Sequence, residues 1–130
     1  MATFALVGCD RLGSAAPGPA AKVCETPLGF QGAFAKALAE ADTTLLLSPD
    51  YGLVHPDERL SPSDGGLGDE RWSAAPERWL ERVWQELTAL RWLEASHRWL
   101  LYAAGDWADR LASMLQENGQ TVDRTTEARA

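Results

Sequence analysis

A chain of 130 residues, 45% apolar and carrying six tryptophans, is long enough for one domain with a substantial core and too hydrophobic for a disordered polymer. Its net charge of -7 and pI near 4.7 speak against direct nucleic-acid binding, which needs clustered Lys and Arg; only Lys22 and Lys36 are lysines. No apolar run approaches the roughly 20 residues of a bilayer span. The N-terminal stretch lacks a basic leader, and two cysteines, Cys9 and Cys24, make no disulfide scaffold, so no membrane association and a cytoplasmic location are expected.

Residues 4–9 are apolar on both faces, as in a strand covered by helices on each side. Residues 10–27, rich in Gly, Ala, Pro and Ser, read as a long loop without a phosphate-cradling glycine pattern. Phe30, Phe34, Ala37, Leu38 and Ala41 recur at helical spacing and predict a helix over 28–41. Three leucines closed by Ser48 and Pro49 form a second strand over 43–48, and residues 49–69 read as the loop that follows it. Pro76 suits the first turn of a helix whose stripe Leu80, Val83, Trp84, Leu87 and Leu90 runs to about 93, widened by Trp79 and Trp92. A third apolar strand spans 99–104. Asp106 then caps a helix carrying Trp107, Leu111, Met114 and Leu115, with Gly119 as its C′ residue. Residues 120–123 suit a short edge strand, and 124–130 a frayed polar tail.

The alternation predicts an α/β fold: a single three-layer domain over 1–123 with a small, mainly parallel sheet of three to four strands flanked by helices. In such a sheet the carboxyl ends of all parallel strands open on one edge. Cys9 with Asp10, Ser48 with Asp50 and Tyr51, and Gly105 with Asp106 are thereby brought together. A carboxylate at Asp50 or Asp10 suits general-base work or the stabilisation of a developing cation. Tyr51 and Gly52 pair a stacking ring with a backbone open to close approach. His55 or Glu58 can carry a proton. Cys9, Ser48, Gly105 and Asp106 complete the expected lining. Each has a plainer role as well: a turn-forming Asp, a Tyr under its own loop, an exposed His, a buried cysteine, a helix cap. Cys9, Cys24 and His55 lack metal-binding spacing, so neither a metal nor another cofactor is expected.

The run Ser48-Pro49-Asp50-Tyr51-Gly52-Leu53-Val54-His55-Pro56-Asp57-Glu58 resembles the S-A-K-Y-G-L-x-x-P-x-E segment of a small bacterial and phage domain family of unknown function. Pro62-Ser63-Asp64 stands where that family has P-Y-D. Leu6-Val7-Gly8-Cys9 is similar to its first strand before C-x-K-x-K, and residues 21–30 resemble its A-x-x-L-Y-x-S-x-x-F. The family is itself similar to YaaA-like peroxide-stress proteins and to the core of archaeosine synthases, a resemblance that implies nucleobase or nucleotide chemistry. This chain departs from the pattern where basic residues become Arg11, Gly13 and Asp50, and where Tyr and Ser become Cys24 and Thr26.

Two functional expectations follow. The first is a nucleotide- or nucleoside-directed domain that cleaves or exchanges an N-glycosidic bond in nucleic-acid modification or defence. The second is a non-catalytic accessory subunit that binds a protein partner, or a second copy of itself, through a tryptophan-rich helical face over 76–93.

Overall fold

The structure, a computed structural model, describes residues 2–9, 11–12, 18–25, 29–48, 52–60, 76–103 and 106–124. Its centre is β1 (Thr3–Gly8). Along β1, Phe4 and Leu6 face one layer while Ala5 and Val7 face the other, and all four are buried. A strand buried on both faces has no polar side to alternate with, which is why it reads as a continuous apolar run.

Beside β1 lie β5 (Thr43–Ser48) and β8 (Arg98–Tyr102), both parallel to it, with Val7 level with Leu46 on one side and Tyr102 on the other. The sheet is completed by β6 (Gly52–Val54), antiparallel to β5, and β9 (Thr121–Arg124), parallel to β8, in the order β6-β5-β1-β8-β9. On one face pack α1 (Ala20–Val23) and α2 (Phe30–Glu40), through Ala20, Val23, Phe30, Ala33 and Ala37. On the other pack α3 (Pro76–Ala89) and α4 (Asp106–Glu117), through Trp79, Leu80, Val83, Leu87, Ala108, Leu111 and Leu115. The expected α/β class with its mainly parallel sheet is therefore observed. Among the described residues no helix is long and apolar enough to cross a membrane.

Several elements differ from the sequence reading. The loop expected over 49–69 contains β6 and, further on, β7 (Arg59–Leu60). The loop expected over 10–27 contains β2 (Arg11–Leu12), β3 (Gly18–Pro19), α1 and β4 (Cys24–Glu25), with β2 paired to β4 and β3 to β7. These pieces are too short to carry a periodicity, and pairing with distant chain makes them. Cys9 and Cys24, read as separate thiols, form a disulfide across 15 residues. The third helix ends at Ala89 rather than near 93. Arg91 turns left-handed at φ 65°, and the Arg91 N–H donates to the Thr88 carbonyl at 2.9 Å. Trp92 thereby leaves the helical stripe and stacks on Phe4, ring centroids 4.1 Å apart. Arg124, expected in the tail, ends β9.

At the close of α4 the expected glycine works as a cap. Gly119 has φ 92°, its N–H donates to the Gln116 carbonyl, and the Gln120 N–H reaches back to Leu115. This turn delivers Gln120 into the amino edge of the sheet, where it is buried. Its Oε1 accepts from the His97 N–H (2.8 Å) and the Trp99 indole N–H (2.9 Å). Its Nε2 donates to the Ala95 carbonyl and to Asn118 Oδ1, both at 2.9 Å. One amide thus satisfies two buried donors and ties three segments together. Replacing Gln120 by Leu strands those donors and is expected to cost about 3 kcal/mol of stability, read as a lower urea midpoint at unchanged m-value.

Candidate functional site

The carboxyl edge of the sheet is where the topology places a site. β1 sends the chain to α2 on one face and on to β5 at one side. The neighbouring β8 sends it to α4 on the opposite face and on to β9 at the other side. Connections that part in this way leave a crevice between the two strand ends, and ligands of open α/β sheets bind there.

The described residues around this edge are Cys9, whose N–H extends the ladder to the Leu47 carbonyl at 2.8 Å, Ala103 beyond β8, and the first turn of α4. Cys9 and Ser48 stand at the ends of the parallel neighbours β1 and β5, and Asp106 opens α4, the helix that follows β8. Asp10, Asp50, Tyr51 and Gly105 lie outside the described residues, as do the side chains of Ser48 and Asp106. Cys9 lines the edge differently from the expectation. Its sulfur is bonded to Cys24, and the residue is buried, so it presents no thiol.

Gly52 stands at the rim, opposite Ser48, for a definite reason. Its φ is 75°, and a Cβ added to it falls 2.5 Å from Glu86 Oε1 and 3.3 Å from Arg82 Nε. Glu86 occupies that space because it accepts the Leu53 N–H at 3.0 Å, satisfying a donor on the outermost strand of the sheet. Since β6 runs antiparallel, Val54 returns to the level of Leu46, and His55 follows it away from the rim.

The turn from His55 to Glu58 has a visible structural task. The carbonyls of Pro56 and Glu58 accept the Ala21 and Ala20 N–H groups at 2.9 and 2.7 Å, holding the start of α1. His55 Nδ1 accepts the Asp57 N–H at 3.2 Å, and His55 and Glu58 are exposed.

Sequence reasoning passed over Arg124. Its guanidinium donates to Asp109 Oδ1, in the first turn of α4, at 2.6 Å, and to the Ala103 carbonyl at 3.2 Å. It is a cation near the β8 end of the crevice, and no local signal marks it, because only the pairing of β9 with β8 carries it there. Among the described residues no three His, Cys, Asp or Glu side chains gather in a metal-binding cluster.

A concavity lies between α3 and α4. This groove of about 550 Å³ is lined by Leu80, Trp84 and Met114 and rimmed by Glu77, Glu81, Gln85 and Arg110. Glu77 and Arg110 bridge the two helices at 2.9 Å, and the hydrogen bond from Arg110 is the main cause holding the Glu77 carboxyl below its ordinary pKa. The expected tryptophan-rich face contracts to Trp84. Trp79 is buried against the sheet, Trp92 has left the helix, and Trp72 lies outside the described residues.

The chain belongs to DUF6884, a family of unknown function whose model matches residues 4–128. Neither a curated protein nor a solved structure matches it.

Gly52→Ala combines left-handed strain with displacement of Glu86, and about 2 kcal/mol of destabilisation is expected by denaturant melts. Glu86→Ala in the same chain should relieve the contact but leave the strain. Glu77 should titrate below its ordinary value by carbon NMR and move back towards it in Arg110→Ala. Because its folded pKa is depressed, its contribution to stability is present above the ordinary pKa and fades as pH falls through the lowered one. The difference in melting midpoint between wild type and Glu77→Gln should therefore vanish in acid.

Proposed function

We propose that the chain is a nucleotide- or nucleoside-directed domain whose ligand occupies the crevice between β1 and β8. It acts on an N-glycosidic bond in nucleic-acid modification or defence, in the cytoplasm. The observation that carries this reading is the divergence of the two strand connections onto opposite faces, the arrangement at which α/β sheets take such ligands.

The reaction needs a carboxylate pair. Water adds to the sugar C1′ as the C1′–N bond breaks, one carboxylate takes the proton from water, and a carboxylic acid gives one to the departing base. Charge that builds on the sugar is stabilised by the nearby carboxylate. Asp10 and Asp50 follow β1 and β5 in sequence and are the residues assigned to these roles. Tyr51 is assigned to stack on the base. His55 or Glu58, whose exposed side chains are not used in holding α1, is assigned to carry a proton. The acidic balance of the chain favours a nucleoside over a multiply charged nucleotide.

The groove between α3 and α4 supports the second reading, a surface for a protein partner or a second copy of the chain. Its apolar floor of Leu80, Trp84 and Met114 with a charged rim has the anatomy of a helix-binding groove.

The two readings part in one experiment. A panel of nucleosides and nucleoside monophosphates is tested by thermal shift and by chromatography for released base. The crevice reading expects a raised melting temperature with at least one nucleoside, lost in Asp50→Ala and kept in Trp84→Ala. No shift and no released base across the panel overturns it.

A further inference from the structure

The disulfide joins two places that the five-stranded sheet leaves unconnected. Cys9 is the first residue beyond β1, at the carboxyl edge, and Cys24 opens β4 directly after α1. Within the loop they close lie β2, β3 and α1. Among the described residues the non-covalent ties of this excursion are short ladders and a few hydrogen bonds, the Ala20 and Ala21 N–H groups donating to the Glu58 and Pro56 carbonyls and Gln31 Nε2 to the Ala21 carbonyl. β2 and β4 pair over Arg11↔Glu25 and Leu12↔Cys24, β3 and β7 over Gly18↔Leu60 and Pro19↔Arg59, and α1 is four residues long. Two-residue ladders and a single helical turn are far below the lengths that persist alone in water. The side chains α1 buries are the small ones of Ala20 and Val23. The covalent bond adds to these ties a constraint that depends on the length of no ladder.

Cys9 and Cys24 are also 1% and 3% exposed. No reductant or oxidant reaches those sulfurs while α1 and β4 lie in place. Chemistry at the pair and release of these elements are thus thermodynamically linked: conditions that favour one favour the other.

We propose that Cys9 and Cys24 form a redox-linked lock on the carboxyl edge, closed as the disulfide and released as two thiols. With glutathione disulfide as oxidant, the thiolate of one cysteine attacks it, releases one glutathione thiol and forms a mixed disulfide. The second cysteine displaces the other glutathione. In sum, two cysteine thiols give up two protons and two electrons, one S–S bond forms, and glutathione disulfide leaves as two glutathione thiols. In a reducing compartment the lock stands open, and in an oxidising one closed.

The test equilibrates the full chain with glutathione mixtures from wholly reduced to wholly oxidised. Thiols are counted by alkylation and mass spectrometry, and amide hydrogen exchange is followed over Ala20–Val23, whose first amides bond to Glu58 and Pro56. The pair is expected to pass from thiols to disulfide within the series. Exchange over α1 should quicken on the order of 100-fold on reduction, the factor for a loop of this size, while α3 and α4 keep their protection. Cys24→Ser should show the fast exchange at every ratio, separating the lock from any general effect of glutathione. Three results overturn the proposal: thiols that persist under full oxidation, a disulfide that persists under full reduction, or α1 exchange indifferent to the state of the pair.

Discussion

The structure depends on the burial of β1 from both faces and both sides. Leu6 and Val7 are essentially inaccessible, with neighbours above, below and on either flank. Full burial of such side chains stabilises by about 1.5–3 kcal/mol each, and the same sheet adds Leu46, Leu47, Trp99 and Leu101. A strand in this position pairs with two parallel neighbours, and parallel pairing demands crossovers. Each crossover brings a helix to one face. The opposite placement of α2 and α4 follows from filling both faces, and the parting of the chain beyond the ends of β1 and β8 is a by-product of that requirement.

The edges of the sheet are finished differently. At the amino edge, polar groups close on one another. The Ala2 N–H donates to His97 Nδ1, the Thr3 N–H to Asp42, the Arg98 N–H to the Ala2 carbonyl, and Gln120 binds the rest. Such closure serves stability. The outer edge at β6 is managed by Glu86, which supplies the acceptor that a further strand would otherwise provide. At the carboxyl edge, by contrast, the chain makes its long excursions, one tied by the disulfide and one by the turn from His55 to Glu58.

That division recasts the sequence motif around Gly52. In a linear reading, Tyr51, Gly52, His55 and Glu58 look like one loop of chemistry. In space the antiparallel return of β6 separates Gly52 from His55 and Glu58. Gly52 remains at the rim because Glu86 and Arg82 leave no room for a side chain, and His55 and Glu58 serve the start of α1. A positive φ under a carboxylate gives a physical reason for the glycine that holds apart from any catalytic role.

The sequence by itself determined the layered class, β1, β5 and β8, the amphipathic helices and the cap at Gly119. Each of these is written in local periodicity or in one residue's backbone freedom. It also placed the strand ends at a common edge, since parallel strands allow no other outcome. Only the tertiary structure decided the Cys9–Cys24 pairing, the strand at β6, the turn that carries Trp92 from its helix onto Phe4, the hub at Gln120 and the position of Arg124. These depend on partners far away in the chain, and a contact between distant segments leaves no periodic trace in either one.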